Sequence, residues 1–183
     1  MSNQVPIYSI GYGNRTAEEF FSLLQRYEIN FLVDVRTNPF SRFHTHFSRV
    51  NLEEICKQYG VTYIFMGDDL GGKPSNRACY DKQGHVVYER VMQTENFIYS
   101  ANRLITAYNK NLKVACMCSE LKPCDCHRSK MIGRYLNNNN VEMQHIDENG
   151  RLVSQSSVIN QITGGYESDL FGDMFEFKSV GTY

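Results

Sequence analysis

The sequence predicts an α/β fold, a single Rossmann-like three-layer domain built on a mostly parallel sheet of about five strands. Three observations predict it. Short apolar runs of strand length alternate with helical stretches that carry an apolar face. The length, 183 residues, suits one domain with its own core. Polar, glycine-bearing clusters follow successive apolar runs, where an open α/β sheet keeps its ligand site.

Val5 to Ile10 is an apolar run that stops at Gly11-Tyr12-Gly13, the pattern of a buried strand feeding a tight turn. Thr16 and Glu19 have capping-box spacing and open a helix to about Tyr27, with Phe20, Leu23, Leu24 and Tyr27 on one face. Phe31 to Val35 is a second strand, and Asn51 with Glu54 caps a helix carrying Leu52, Ile55 and Tyr59. Val61 to Met66 is a third strand, and a long helix starts at Tyr88 or Thr94 and ends at Tyr108. Lys113 to Cys118 is a fourth strand, followed by a helix from about Cys126 to Leu136 that stops in the asparagine run after it. Val141 to Ile146 is a fifth strand, Asn149-Gly150 a turn, and Ser154 to Ile162 the last helix. Residues 67–87, with Gly71, Gly72, Pro74 and Gly84, exceed an ordinary connection and predict a lid or binding loop. The domain is expected over residues 1–163. An acidic, aromatic tail, 164–183, follows, with three states open to it: docked on its own domain, bound to a neighbouring subunit or another protein, or loose.

Composition narrows the class. A hydrophobic content of 42% with 13% aromatics is globular, not disordered. Net charge is −1, and the tail alone sets Glu167, Asp169, Asp173 and Glu176 against Lys178, so the body is too weakly basic to argue for nucleic acid on charge. No apolar run approaches the ~18 residues of a membrane span, and the N-terminus carries no basic-then-apolar signal, so a soluble cytoplasmic protein is expected. In that compartment the six cysteines read as thiols or ligands, not as a disulfide framework.

The candidate site follows from the strand ends. Gly11, Gly13, Asn14 and Arg15 follow strand one; Asp34, Arg36, Asn38, Pro39, Ser41 and Arg42 close or follow strand two; Asp68, Asp69, Gly71, Gly72 and Lys73 follow strand three. After strand four comes a loop with four cysteines, Cys116, Cys118, Cys124 and Cys126, and then His127 and Arg128. Sharing one rim, the cations and helix N-termini would suit an anion such as phosphate or carboxylate. Asp34 and Arg36 alternate with Val33 and Val35, so a buried ion pair and a functional pair are both open.

Several motif readings fail. Gly11-Tyr12-Gly13 with Asp34 resembles the start of a dinucleotide fingerprint, but Thr16 stands at the third glycine position, so no nicotinamide or flavin is assigned and the cofactor is left unknown. A phosphatase-type thiolate cradle needs an arginine six positions after the nucleophile, and the four cysteines have Lys122, Cys124, Lys130 and Ile132 there. Usual zinc knuckles space their cysteines by about two to four residues, so the two Cys-x-Cys pairs assign no metal ligand set. Cys126, at a predicted helix start beside His127 and Arg128, is in a setting that lowers a thiol pKa. Cys118 closes the strand with Glu120 near it as acid or base; Cys116 reads as a buried small hydrophobe and Cys124 as a loop residue.

Ser9-Ile10-Gly11-Tyr12-Gly13-Asn14-Arg15, Val33-Asp34-Val35-Arg36-Thr37-Asn38-Pro39 with Ser41-Arg42, Leu70-Gly71-Gly72, and Cys118-Ser119-Glu120 with Pro123 and Cys126-His127-Arg128 together resemble the family catalogued as domain of unknown function 488, over about residues 6–155. The resemblance implies a compact α/β domain whose marked positions are Asp34, Arg36, Arg42, Cys118, Glu120, Cys126, His127 and Arg128. It brings no reaction with it. Cys116 and Cys124 have no place in its pattern.

Three functions compete. The first is an enzyme that binds an anionic, nucleotide-like or phosphorylated small molecule at the rim. There Gly11, Gly13, Asn14, Arg15, Asp34, Arg36, Arg42, Gly71, Gly72 and Arg128 hold the ligand; Cys118 or Cys126 acts as nucleophile or redox thiol, and Glu120 and His127 move protons. The second is a metal-binding or redox-sensing module that uses the cysteine loop. The third is a nucleic-acid-processing protein with Tyr12, Phe40, Phe43 and His44 against bases.

Overall fold

The computed structural model describes residues 4–165 and 176–183. Its centre is a six-stranded sheet of β1 (Ile7–Gly11), β2 (Phe31–Asp34), β3 (Thr62–Phe65), β5 (Val114–Cys118), β6 (Met143–Ile146) and β7 (Leu152–Ser154), in the order β3-β2-β5-β1-β6-β7. The first five in space are parallel, and β7 pairs antiparallel with β6 at one edge. The mixed α/β class and the mostly parallel Rossmann-like sheet are therefore as the sequence predicts.

Side-chain alternation divides the core into two layers. Val33, Val35, Val114, Cys116 and Cys118 face one side, where Phe97, Ala101 and Leu104 of α5 (Glu95–Asn109) pack with Met131 and Ile132. Leu32, Ala115 and Met117 face the other, against Phe20, Phe21 and Leu24 of α1 (Ala17–Arg26) and Leu52 and Cys56 of α2 (Arg49–Gln58). Each fully buried Phe or Leu here contributes roughly 1.5–3 kcal/mol by leaving water. Thr16 and Glu19 form both halves of the capping box that starts α1. The second helix differs from expectation. Ser48, not Asn51, is its cap residue, and the Asn51 amide donates to the Thr45 carbonyl at 2.9 Å.

Residues 67–87 do not form one open lid. They contain a helical turn, α3 (Gly67–Leu70), a 3₁₀ turn (Arg77–Cys79) and β4 (His85–Val87), which runs into α4 (Tyr88–Val91). β4 pairs antiparallel with β8 (Lys178–Thr182), so this part of the tail is docked on its own chain. The rest of the tail expectation, residues 166–175, lies outside the described residues.

The helix expected from Cys126 is also different. After a 3₁₀ turn (Pro123–Asp125), residues Arg128–Gly133 form a wide π-helical turn, continued by α6 (Arg134–Asn138). The wider turn directs Arg128, Ser129, Met131, Ile132 and Gly133 all inward. The Gln155 amide, at the start of α7 (Gln155–Thr163), donates to the Ser129 carbonyl at 2.9 Å and satisfies one of the displaced backbone groups.

Candidate functional site

The parallel order β3-β2-β5-β1 sets four strand ends side by side, and backbone pairing carries on into the loops. Tyr12 N–H donates to the Cys118 carbonyl at 3.1 Å and Gly13 N–H to the Ser119 carbonyl at 2.9 Å, which zips the glycine turn to the cysteine loop. Gly11 has no substitute in this arrangement: a Cβ there would lie 1.9 Å from the Glu120 carbonyl oxygen. Lys73 N–H donates to Thr37 Oγ1 at 3.0 Å and ties the loops after β2 and α3 together.

Four side chains converge at the centre. Cys118 Sγ donates to Glu120 Oε2 at 2.8 Å, and Cys126 Sγ lies 3.3 Å from the same oxygen. His127 Nδ1 stands 3.6 Å from Cys126 Sγ and 3.9 Å from Cys118 Sγ. All four atoms lie within 4.8 Å of one another. Cys118, Cys126 and His127 are buried, whereas Glu120 is exposed. His127 Nε2 sits 3.0 Å from the Val35 carbonyl. A carbonyl only accepts, so Nε2 carries a proton, and Nδ1 is the ring nitrogen turned toward the sulfurs.

Arg128 supports this cluster from below. Its side chain is wholly buried; Nε donates to Cys126 Sγ at 3.1 Å, Nη2 to the Glu120 carbonyl at 2.5 Å and Nη1 to Ser9 Oγ at 3.4 Å. Behind it, Ser9 Oγ and His145 Nδ1 are 2.6 Å apart, and His145 Nε2 and Gln155 Oε1 are 2.6 Å apart. Burial alone would raise the Cys126 pKa, but the Cys118 hydrogen bond and the charges of Arg128 and His127 outweigh it and hold this thiol well below its ordinary range. Cys118 goes the other way: burial, then the bond to and charge of Cys126, push it well up. Burial also pushes Cys116 to about 12, which fits its reading as a core residue. Cys124 stands apart, half-buried beside Asp125.

A cleft of about 460 Å³ opens over the cluster, lined by Arg36, Thr37, Gly72, Lys73, Tyr88, Cys118, Glu120 and His127, with Ser179 to Gly181 and Tyr183 on the β8 side. Arg36 and Asp34 form a bidentate pair, Nε to Oδ1 at 2.9 Å and Nη2 to Oδ2 at 2.6 Å, and Tyr63 adds its hydroxyl to Oδ2 at 2.7 Å. The Arg36 guanidinium is 5.4 Å from the centre of the Tyr12 ring. Its Nη1 is buried and has no hydrogen-bond partner among the described residues. Burial works against this cation, but the bonds and charge of Asp34 prevail and its pKa is raised. Lys73 Nζ lies 3.9 Å from the centre of the Tyr183 ring.

The remaining sequence candidates separate. Arg15 donates to the Gly11 and Asp147 carbonyls and, with Asn14, borders a different depression on α1. Arg42 is exposed and does not line the cleft, and Arg128 spends its donors inside the protein. Gly71 packs on Thr37, and Gly72 covers the imidazole, with a Cβ there 3.0 Å from His127 Nδ1. Tyr88, Ser179 and Tyr183 are not among the sequence candidates: they reach the rim through the β4–β8 pairing, which no local pattern signals. The Ser9–His145–Gln155 chain is equally silent in the sequence, where its members have nothing in common.

Fold and rim together define an α/β protein with a thiol, carboxylate and imidazole centre at the carboxyl end of a parallel sheet. The family model for the domain of unknown function DUF488 matches residues 16–136, well over half of the chain, and the chain belongs to that family. No curated protein and no solved structure matches it.

Proposed function

We propose that this chain is an enzyme that binds a small anionic molecule in the rim cleft and acts on it at the Cys118–Glu120–Cys126–His127 centre. The observation that carries this reading is Arg36. Its side chain is only 4% exposed, two of its nitrogens are committed to Asp34, and Nη1, a buried atom of a residue that lines the cleft, has no hydrogen-bond partner among the described residues. A buried donor left unpaired costs about 1–3 kcal/mol, a deficit that a ligand oxygen would remove. Asp34 then has a definite task. It holds the guanidinium rigid, so little side-chain entropy is lost when an anion arrives. Lys73 supplies a second cation on the same wall. An Arg held in this way suits a carboxylate or phosphate group, which would sit next to the reactive centre.

The test is a melting-temperature titration of the purified protein with inorganic phosphate, a nucleoside monophosphate and a small dicarboxylate. The reading expects saturable stabilisation by at least one of them, weakened about tenfold or more in Arg36→Met, the scale of one charge-assisted hydrogen bond. Equal stabilisation of wild type and Arg36→Met, or none in either, overturns it.

A further inference from the structure

The four donor atoms at the centre of the rim lie within 4.8 Å of one another, close enough to share one ion. Tetrahedral zinc has bonds of about 2.3 Å to sulfur and about 2.0–2.2 Å to nitrogen or oxygen, which sets its ligands roughly 3.5–3.8 Å apart. The separations here, 3.6 and 3.9 Å from His127 Nδ1 to the two sulfurs and 3.3 and 2.8 Å from Glu120 Oε2 to the same sulfurs, bracket that spacing. The His127 ring is already oriented by a bond outside the cluster, Nε2–H to the Val35 carbonyl, as a metal-ligating imidazole requires.

We propose that Cys118, Cys126 and His127 hold a borderline-soft divalent metal ion of the zinc class, with Glu120 as a replaceable fourth ligand. Two thiolates and an imidazole select such an ion over magnesium or calcium. Charge also balances: the ion, two thiolates and the carboxylate sum to one negative charge, and buried Arg128, 3.1 Å from Cys126 Sγ, supplies the opposite one. Binding therefore releases to solvent whatever protons the two thiols carry and changes no oxidation state. The exposure of the four ligands divides them by role. The three buried groups fix the ion, and the exposed Glu120 faces the cleft, where it can yield its position to water or to a ligand oxygen, as catalytic sites with an open position require. This deepens the rim-enzyme reading by naming what stands at the reacting end. It would hold without Arg36 binding an anion.

The experiment is elemental analysis of protein purified under reducing conditions without chelator, followed by Co²⁺ titration of the metal-stripped protein with no anion added. The proposal expects about one zinc-class ion per chain and, with Co²⁺, thiolate charge-transfer absorption and intense tetrahedral ligand-field bands. Cys118→Ser and Cys126→Ser should lose the charge-transfer bands in part, and Glu120→Gln should keep the ion but alter the ligand-field bands. The titration of wild-type protein needs no variant and stands if one fails to fold. Metal-free protein that binds Co²⁺ without those bands overturns the proposal.

Discussion

The carbonyl oxygen of Glu120 occupies the space that a side chain on Gly11 would need, 1.9 Å from the position of its Cβ. The contact is backbone against backbone, so it cannot be relieved by a rotamer change, and it fixes the height of the cysteine loop over β1. Gly11→Ala is expected to cost about 2–3 kcal/mol and to raise the rate at which Cys118 reacts with a thiol reagent. Gly72→Ala meets only the edge of the His127 ring at 3.0 Å and should cost less. Urea unfolding with thiol titration checks both, and equal effects would contradict the reading.

Arg128 is the cation beneath the centre. Arg128→Met leaves Cys126, the Glu120 carbonyl and Ser9 without their shared donor and is expected to cost about 3–5 kcal/mol. Arg128→Lys should recover only part of this, because one ammonium cannot make the three divergent bonds of the fork. Denaturant midpoints order the two, and a lysine variant as stable as wild type would sink the claim.

His145 gives the fold a pH dependence. Burial, which the bond to Gln155 opposes only partly, lowers its pKa from 6.5 to about 4. Below 6.5 the unfolded chain takes up a proton that the folded one refuses until about pH 4. Stability is therefore fully present above 6.5 and falls as pH drops through that window. The loss is about 2 kcal/mol by pH ~5 and about 3 kcal/mol by pH ~4. Unfolding curves of wild type and His145→Gln across this range test it; the variant should lack this component, and identical pH profiles would exclude it.

The β8 strand forms one wall of the cleft. Val86 N–H donates to Ser179 Oγ at 2.9 Å and Tyr88 N–H to the Phe177 carbonyl at 3.1 Å. A chain ending at Glu176 should show faster hydrogen exchange at these two amides and a more accessible Cys118. Unchanged protection at Val86 and Tyr88 would show that this wall is held by something other than β8.

Much of this was legible because the parallel strands are short apolar runs with punctuation. Gly11, Asp34 and Cys118 fall at strand ends, and the topology alone brings those ends to one rim. What was illegible depends on burial and distance. Nothing along the chain tells the Arg36 guanidinium, which borders the cleft, from that of Arg128, which is sealed inside, or from Arg42, which points to solvent. Nor does spacing show that Glu120 and His127 complete a donor set with two cysteines, because a Cys-x-Glu and a Cys-His pair become a single site only when the loop folds back. The π turn at Arg128–Gly133 escaped for a similar reason: its period is a response to tertiary packing against Gln155, not to a local propensity.

The central claim is that an anion binds at Arg36 beside the Cys118–Glu120–Cys126–His127 centre. Diffraction from crystals soaked in tungstate tests it most directly, since the metal in that oxyanion marks its position by anomalous scattering. The expected result is a peak in the cleft with an oxygen about 3 Å from Arg36 Nη1, absent from Arg36→Met crystals. A peak only elsewhere on the molecule, or one that persists unchanged in the variant, would contradict the account.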